Sequence, residues 1–212
     1  MKNIPIIQIV VGLIIVLAIA AFFIFLNLYS APIGQVFSSP LGFIQASLSN
    51  KGYGVVYSEG AKWYAEINRN KYGPYDSNPI LLNVSDKNYG YAFQKNGAWQ
   101  VVINNKEYGP YQMVTNLSVA DSGHGYVYQK NNGWWVNINN KDFGPFSAIK
   151  NISVAGSKFG FIYQVNGKWK ANINNKEYGP YDDIDNLNVF QGNFGFSYQE
   201  NGRMFFTLNP SK

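Results

Sequence analysis

The residue types that carry most enzyme chemistry are scarce in this chain of 212 residues. It has no cysteine and one histidine, His124. This excludes thiol nucleophiles, disulfides and Cys-ligated zinc, and it leaves no second histidine for a metal site or a proton relay. The only acidic cluster, Asp182, Asp183 and Asp185, is followed by Leu187 where a calcium loop would need its next oxygen ligand. We therefore predict a protein that is not an enzyme, with no catalytic residues, no metal and no cofactor.

Three further carboxylates recur at a regular interval, as Glu107, Asp142 and Glu177. The two carboxylates of a glycoside hydrolase must face each other across one cleft. A carboxylate that occurs once per repeated unit is instead spread over the molecule. We therefore expect these three residues to belong to hairpins.

Aromatic side chains, 17% of the residues, are the most numerous candidates for ligand binding. One series consists of tryptophans, and the other is the last residue of an aromatic-Gly-Pro-aromatic motif. The tryptophans are Trp63, Trp99, Trp134 and Trp169, and the candidate ligand-binding series is Tyr75, Tyr111, Phe146 and Tyr181. Each tryptophan begins an alternating apolar strand, which favours packing between neighbouring units. The second series fits either packing at a rim or exposed contact with a ligand such as a sugar.

The spacing of these residues reveals five internal repeats. In each of the first four, the glycine of the Gly-Pro pair comes ten residues after the tryptophan; Met204 takes the tryptophan position in the fifth. The repeated glycines are Gly73, Gly109, Gly144 and Gly179. Successive repeats are 36, 35, 35 and 35 residues apart and cover about residues 44–78, 79–113, 114–148, 149–183 and 184–212. His124 falls where the other repeats carry Tyr or Phe, which indicates a structural ring.

One repeat can be divided into four strands, at about residues 117–120, 125–130, 134–139 and 141–146. Alternating apolar residues predict the strands, and Asn-Gly or Asn-Asn pairs predict two-residue hairpins between them. The sequence thus predicts an all-β fold, a five-bladed β-propeller of ~35-residue four-strand repeats. The fifth repeat has no Gly-Pro strand, and residues 35–41 are the candidate closing strand. An open β-solenoid of the same units is the alternative.

Residues 4–28 form an apolar run of 25 residues. At 1.5 Å per residue a helix of this length is about 37 Å long, which suffices for a hydrocarbon core of roughly 30 Å. The apolar region of a cleaved signal peptide, the alternative, is shorter, at roughly 7–15 residues. We predict an N-terminal transmembrane helix within residues 1–30. Because Lys2 precedes it, we expect the N-terminus in the cytosol and residues 31–212 outside the plasma membrane.

The charge of the chain is low and evenly spread. Only 14% of the residues are charged and the formal net charge is +5, without a basic run. Nucleic-acid binding requires a concentrated basic patch. We therefore predict no nucleic-acid partner.

The motifs of the fourth repeat indicate which kind of propeller the chain resembles. The fourth repeat carries Asn-Gly-Lys-Trp at 166–169, Asn-Asn-Lys-Glu-Tyr-Gly-Pro-Tyr-Asp at 174–182 and Asn-Leu-Asn-Val at 186–189. This order resembles the TolB-type, WD-repeat-like β-propellers of bacteria over roughly residues 40–209. The chain matches that family at G-K-W and K-E-x-G-P, and it departs at the S-P-D-G turn. The resemblance implies a binding platform, often extracytoplasmic and partnered with other components of the cell envelope, and it implies no particular ligand.

Together these observations predict a membrane-anchored extracytoplasmic propeller that binds or scaffolds an envelope or surface protein without catalysis. The alternative is a surface lectin with one aromatic site per blade, for which a glycan is the ligand. A lectin should lose glycan binding when Tyr111 and Tyr181 become alanine.

Overall fold

The structure is a computed structural model that describes residues 45–190 and 193–209. These residues form an all-β fold of five antiparallel sheets, in the order of the five sequence repeats. Within them there is no helix that could cross a membrane. The predicted anchor at residues 4–28 and the candidate closing strand at residues 35–41 lie outside the described residues.

Each of the first four sheets is a meander of four strands joined by short turns, and the fifth sheet has three strands. Sheet 1 contains β1 (Gln45–Leu48), β2 (Tyr53–Glu59), β3 (Lys62–Ile67) and β4 (Asn70–Tyr75), and sheet 2 contains β5 (Ile80–Val84), β6 (Tyr89–Lys95), β7 (Ala98–Ile103) and β8 (Lys106–Tyr111). Sheet 3 contains β9 (Met113–Ala120), β10 (Gly123–Lys130), β11 (Gly133–Ile138) and β12 (Lys141–Phe146), and sheet 4 contains β13 (Ala148–Ala155), β14 (Lys158–Val165), β15 (Lys168–Ile173) and β16 (Lys176–Tyr181). Sheet 5 contains β17 (Asp183–Phe190), β18 (Asn193–Glu200) and β19 (Arg203–Leu208).

Asparagine forms most of the hairpin turns. At Asn166-Gly167 both residues have positive φ, 52° and 76°, and at Asn174-Asn175 the values are 52° and 67°. Two-residue hairpins of this type require positive φ at both positions, which Asn and Gly adopt at the lowest cost. This requirement contributes to the high asparagine content of the chain, since 14 of its 27 asparagines have positive φ among the described residues.

The first asparagine of each β3–β4-type hairpin also braces the start of the second strand. In sheet 4 the Asn174 side chain accepts a hydrogen bond from the Phe159 N–H at 2.9 Å, and the Asn174 N–H donates to the Phe159 carbonyl at 3.0 Å. The same side-chain bond is made by Asn68, Asn104, Asn139 and Asn209. Each of these asparagines therefore ties the end of the third strand to the start of the adjacent second strand of its own sheet.

The strands are longer than the sequence pattern predicts. In the third repeat the first strand begins at Met113 instead of residue 117, and the second begins at Gly123 instead of residue 125. The early start follows from the tight connection after β8, because the Gln112 N–H already donates to the Gln129 carbonyl at 3.0 Å. A β-bulge between Val127 and Tyr128 then corrects the register.

The core lies between consecutive sheets, which pack face to face. We call the face of a sheet that packs on the following sheet its forward face, and the opposite one its backward face. At each of the four interfaces a fully buried Ala or Val from a third strand and a buried ring from the next second strand share one cluster. These pairs are Ala65 and Tyr91, Val101 and Tyr126, Val136 and Phe161, and Ala171 and Phe196. The result is a row of blade-like sheets in which each interface repeats the one before it.

Candidate functional site

The four aromatic residues that follow Gly-Pro lie at the interfaces between sheets. Each is half-buried and packs on a ring of the next sheet, with centroid distances of 4.6 Å for Tyr75 on Phe93 and 4.2 Å for Tyr111 on Tyr128. The equivalent distance is 4.3 Å for both Phe146 on Tyr163 and Tyr181 on Tyr198. One face of each candidate ligand-binding ring is therefore occupied by the protein itself.

Hydroxyl groups join two of these interfaces. The Tyr75 and Tyr91 hydroxyls are 2.7 Å apart, and those of Tyr111 and Tyr126 are 2.9 Å apart. Burial is the main reason that the pKa values of Tyr91 and Tyr126 are raised, so both hydroxyls stay protonated and each pair keeps a donor.

In each of the first four sheets the tryptophan of the third strand is the cross-strand partner of the aromatic residue that follows Gly-Pro on the fourth strand. Trp63 lies opposite Tyr75, and Gly73, two residues before Tyr75 on β4, lies at a register shift with φ of 121°. A Cβ on Gly73 would approach the Trp63 carbonyl oxygen to 2.8 Å, and the same clash recurs at Gly109, Gly144 and Gly179. Glycine is required because the chain bulges there against the tryptophan backbone. The ten-residue spacing between Trp and Gly thus marks a β-bulge.

His124 lies among the aromatic side chains between sheets 2 and 3, at a position where the other repeats carry Tyr or Phe. Its ring centroid is 6.4 Å from that of Tyr108, and its Nε2 atom is buried without a hydrogen-bond partner in the described residues. Burial lowers the pKa of His124, and the nearby Lys106 lowers it further. The imidazole is thereby kept neutral, as the Tyr and Phe rings at equivalent positions are.

The acidic cluster is neutralised by lysines. Asp182 is 2.5 Å from the Lys168 Nζ and accepts the Asn201 N–H at 2.9 Å, while Asp183 pairs with Lys150. The hydrogen bond from Lys168 lowers the pKa of Asp182. In the part of the chain that the structure describes, no three acidic or histidine side chains converge on one point.

The three recurring carboxylates also lie in hairpins. Glu107 pairs with Lys95 at 3.0 Å, and Asp142 accepts from the Asn137 side chain at 2.7 Å. Glu177 accepts from the Tyr163 hydroxyl and pairs with Lys170 at 3.1 Å. Each carboxylate thus has its partners within its own sheet.

An open groove of about 400 Å³ lies between sheets 1 and 2. Tyr75 and Tyr91 line it on the aromatic side, and Asn96, Asn105 and Glu107 supply polar groups. The groove therefore places hydrogen-bonding groups beside the first of the candidate ligand-binding rings.

The forward face of sheet 5 is apolar, and no other sheet in the described part of the chain covers it. Met204, Phe206 and Leu208 alternate along β19 and are 67%, 70% and 65% exposed. Phe190, at the end of β17, is 63% exposed. In the first four sheets, the residues equivalent to Phe206 and Leu208 are at most 4% exposed, because the next sheet covers them. We call Phe190, Met204, Phe206 and Leu208 the end face.

Consecutive sheets are also joined by a repeated side-chain hydrogen bond, and among the described residues this bond is not made by sheet 5. The side chain of Ser47 accepts from the Val84 N–H at 2.9 Å, and that of Ser153 accepts from the Val189 N–H at 3.0 Å. Asn83 and Ser118 make the same bond to the following sheet. Asn188 is the next member of this series, and within residues 45–190 and 193–209 its exposed side chain has no hydrogen bond.

Analysis of the sequence missed the end face, although the aligned repeats contain a signal for it. The position of Phe206 is Ala or Val in the first four repeats, and that of Phe190 is Ser or Ala. A bulky residue where the other repeats need a small one indicates a different neighbour. The Ser and Asn bonds between sheets have no comparable sequence signal, because both residue types are common throughout the chain.

No protein-family model matches the sequence, and no curated protein matches it. Among solved structures, the ectodomain of the receptor kinase CR4 from Physcomitrella patens is similar with a TM-score of 0.45 at 11% identity, over 79% of this chain and 53% of that one. The β-propeller domain of the Trilobed protease from Pyrococcus furiosus is similar with a TM-score of 0.33 at 8% identity, over 81% of this chain and 83% of that one. The match thus spans about half the length of the CR4 ectodomain. These similarities assign the chain to no family.

Proposed function

We propose that this chain is a non-catalytic protein-binding or scaffolding module. In this proposal residues 4–28 anchor it in the plasma membrane, and a five-bladed propeller of the TolB type is displayed outside the cytoplasm. In this proposal the ring of sheets is open between sheets 5 and 1, and the protein surface that it offers to a partner is the end face on sheet 5.

The exposure of the end face is the observation that supports this proposal. Large side chains in one apolar patch are costly to leave in water, and exposed apolar patches mark sites of protein association. The polar residues Ser197 and Gln199 are the cross-strand partners of Phe206 and Met204 on β18, so polar positions flank the apolar patch as a polar rim flanks the core of an interface. Because the patch is carried on a three-stranded sheet whose other face is packed, it is held rigidly and loses little conformational entropy on binding.

The proposal predicts that Phe206→Asp abolishes binding of the partner protein. A charge buried at the centre of an apolar interface without an ion-pair partner is costly, so we expect at least about a hundredfold loss of affinity. The measurement is purification of the tagged, full-length protein in mild detergent with quantitative mass spectrometry. Val165→Asp is the matched control, since Val165 is an exposed apolar residue on sheet 4. A stoichiometric partner retained by Phe206→Asp would contradict the proposal.

The groove between sheets 1 and 2 supports a second candidate function, that of a surface lectin. Sugars stack on aromatic rings and take hydrogen bonds from amides and carboxylates, and Tyr75, Asn96, Asn105 and Glu107 provide these groups. The lectin hypothesis predicts that Tyr75→Ala removes the glycan binding of the wild-type chain on a glycan array, as Tyr111→Ala and Tyr181→Ala do at the equivalent rings. Tyr75→Phe, which keeps the ring, is the control. If the wild-type chain binds no glycan, the lectin hypothesis fails.

A further inference from the structure

We infer that the partner protein binds sheet 5 by strand addition, in which an extended segment of the partner lies along the free edge of β19 as the fourth strand of that sheet. This inference rests on the proposed function and names how the partner is held beside the end face. The segment that fits this edge carries apolar side chains opposite Met204 and Phe206 and an acidic residue near Arg203.

The fourth-strand position of sheet 5 is empty among the described residues. In the first four sheets the third strand pairs with a second strand on one side and a fourth strand on the other, whereas β19 pairs with β18 alone. The Asn209 N–H donates to the Phe194 carbonyl on β18 at 2.8 Å. Because the peptide groups of successive residues in a strand point to opposite sides, those of Met204, Phe206 and Leu208 point to the free edge. They form a row of N–H and C=O groups that another strand can bind.

The other four sheets protect their outer edges against strand addition, and sheet 5 does not. Their outer strands β4, β8, β12 and β16 each contain a lysine and a proline, and each is bulged against the third strand. Lysine, proline and bulges at an edge hinder pairing with a further strand. The sequence of β19 is Arg-Met-Phe-Phe-Thr-Leu, without proline or glycine, and it pairs with β18 without a register shift. Its aromatic and β-branched residues favour an extended chain, so its edge is suited to a further strand.

The four complete sheets show which side chains such a segment needs. In each of them, two aromatic residues of the fourth strand are the cross-strand partners of two apolar residues on the third strand. Met204 and Phe206 occupy the positions of those two apolar residues in sheet 5, and they are 67% and 70% exposed. Cross-strand pairs of aromatic and apolar side chains stabilise a sheet. The added segment therefore covers part of the end face while it pairs with the edge.

Arg203 adds a requirement on charge. Lys62 and Lys168 occupy the equivalent position in sheets 1 and 4, and each lies 2.5 Å from the aspartate that follows the fourth strand, Asp76 or Asp182. Arg203 is exposed, and it forms no ion pair within residues 45–190 and 193–209. An acidic residue at the corresponding place in the partner segment would complete the same ion pair. Such a pair fixes the direction and the register of the added strand.

A separate protein is the source of the segment that the structure favours. The chain between the candidate closing strand at residues 35–41 and the start of β1 spans at most about 14 Å. A fourth strand formed on β19 by residues 35–41 would therefore bring sheet 1 against sheet 5. Among the described residues, sheet 1 does not pack against sheet 5.

A synthetic peptide tests the inference on the tagged, full-length chain in mild detergent. The probe is the labelled peptide Lys-Glu-Tyr-Gly-Pro-Tyr-Asp, which has the sequence of residues 176–182 and carries each feature named above. The first four sheets already have a fourth strand, so the peptide should bind at sheet 5. We expect saturable binding of one peptide per chain in fluorescence anisotropy, with a Kd below about 1 mM.

Charge reversal locates the peptide on β19. Arg203→Glu should weaken binding about fivefold, because an ion pair becomes a repulsion. A peptide with Asp182→Lys should bind the Arg203→Glu chain as tightly as the original peptide binds the wild type. Lys130→Glu is the matched control, since Lys130 is an exposed residue of β10 in sheet 3, and it should leave binding unchanged.

Methylation of the peptide backbone tests whether the probe binds as a strand. The Asn174 N–H points to β14, so the peptide group of Ala171 faces β16, and Tyr178, its cross-strand partner, faces β15 in return. In the probe, an N-methyl group at the position of Tyr178 should lower the affinity at least about tenfold, because a donor is lost between the strands. An N-methyl group at the position of Glu177, whose N–H faces the outer side, is the matched control and should leave the affinity unchanged.

Each other outcome overturns the inference. Absence of binding at about 1 mM peptide, or equal affinity of the two methylated peptides, would show that β19 does not accept a strand. Binding only to a chain that lacks residues 35–41 would show that those residues occupy the edge in the molecule itself. Binding that Arg203→Glu does not weaken would place the peptide at another site. If Phe206→Asp still releases a bound protein in any of these cases, the proposed function stands and only the inference about strand addition fails.

Discussion

Replacing Phe161 by alanine should lower the free energy of unfolding by about 3–5 kcal/mol. The Phe161 side chain is fully buried between sheets 3 and 4, and its ring centroid lies 5.2 Å from that of Phe143 and 5.9 Å from that of Phe146. Removal of the ring leaves a cavity between two rigid sheets that cannot move together to fill it. Urea unfolding of the full-length chain, followed by tryptophan fluorescence, measures the loss.

Phe190→Ala is the matched control for this prediction. Phe190 is 63% exposed, so in dilute protein its removal should change the unfolding free energy by less than about 0.5 kcal/mol. If the two variants lost equal stability, the interfaces between sheets would not be the main source of stability.

Gly123→Val should have the second-largest effect, a loss of about 1–3 kcal/mol or a failure to fold. A Cβ at this position would lie 2.6 Å from the backbone carbonyl oxygen of Gly156, which belongs to the turn between β13 and β14 of the next sheet. A backbone atom cannot move aside as a side chain can, so the two sheets must separate. Thermal unfolding and the yield of folded protein measure the effect.

Lys158→Val provides the comparison, because Lys158 occupies the same repeat position in sheet 4 and is exposed. Valine is favourable in strands, so this variant should be as stable as the wild type. Equal stability of Gly123→Val and Lys158→Val would contradict the close approach of sheets 3 and 4 at Gly123.

The local structure of this fold could be predicted because it is determined by single residues. Asn166-Gly167 and Asn174-Asn175 adopt positive φ largely independently of their surroundings, and they set the hairpins and hence the strand register. Periodicity then indicates which side chains share a face. The prediction of five repeated β-units is confirmed by the five antiparallel sheets.

The surroundings of the candidate site could not be predicted in the same way. Tyr75 stands at the end of a strand in the sequence, where a ring fits solvent or a neighbouring blade equally well. Its packing on Phe93 depends on the distance and angle between two sheets, and no local pattern encodes these. The exposure of Phe206 likewise depends on the absence of a following sheet among the described residues. On β3 the same alternation of apolar side chains is buried, with Ala65 and Ile67 at most 1% exposed.

The repetition of one interface makes the inner units of this molecule interchangeable in principle. Any unit whose forward face carries a small residue and whose backward face carries a ring can follow any other, so inserting or deleting a unit of ~35 residues would leave every remaining junction chemically unchanged. The fifth unit is the exception, because it has three strands and carries Phe190 and Phe206 where the other units carry small residues. Gene duplication could therefore alter the number of inner units, while the unit that carries Phe206 would remain the last of the described array.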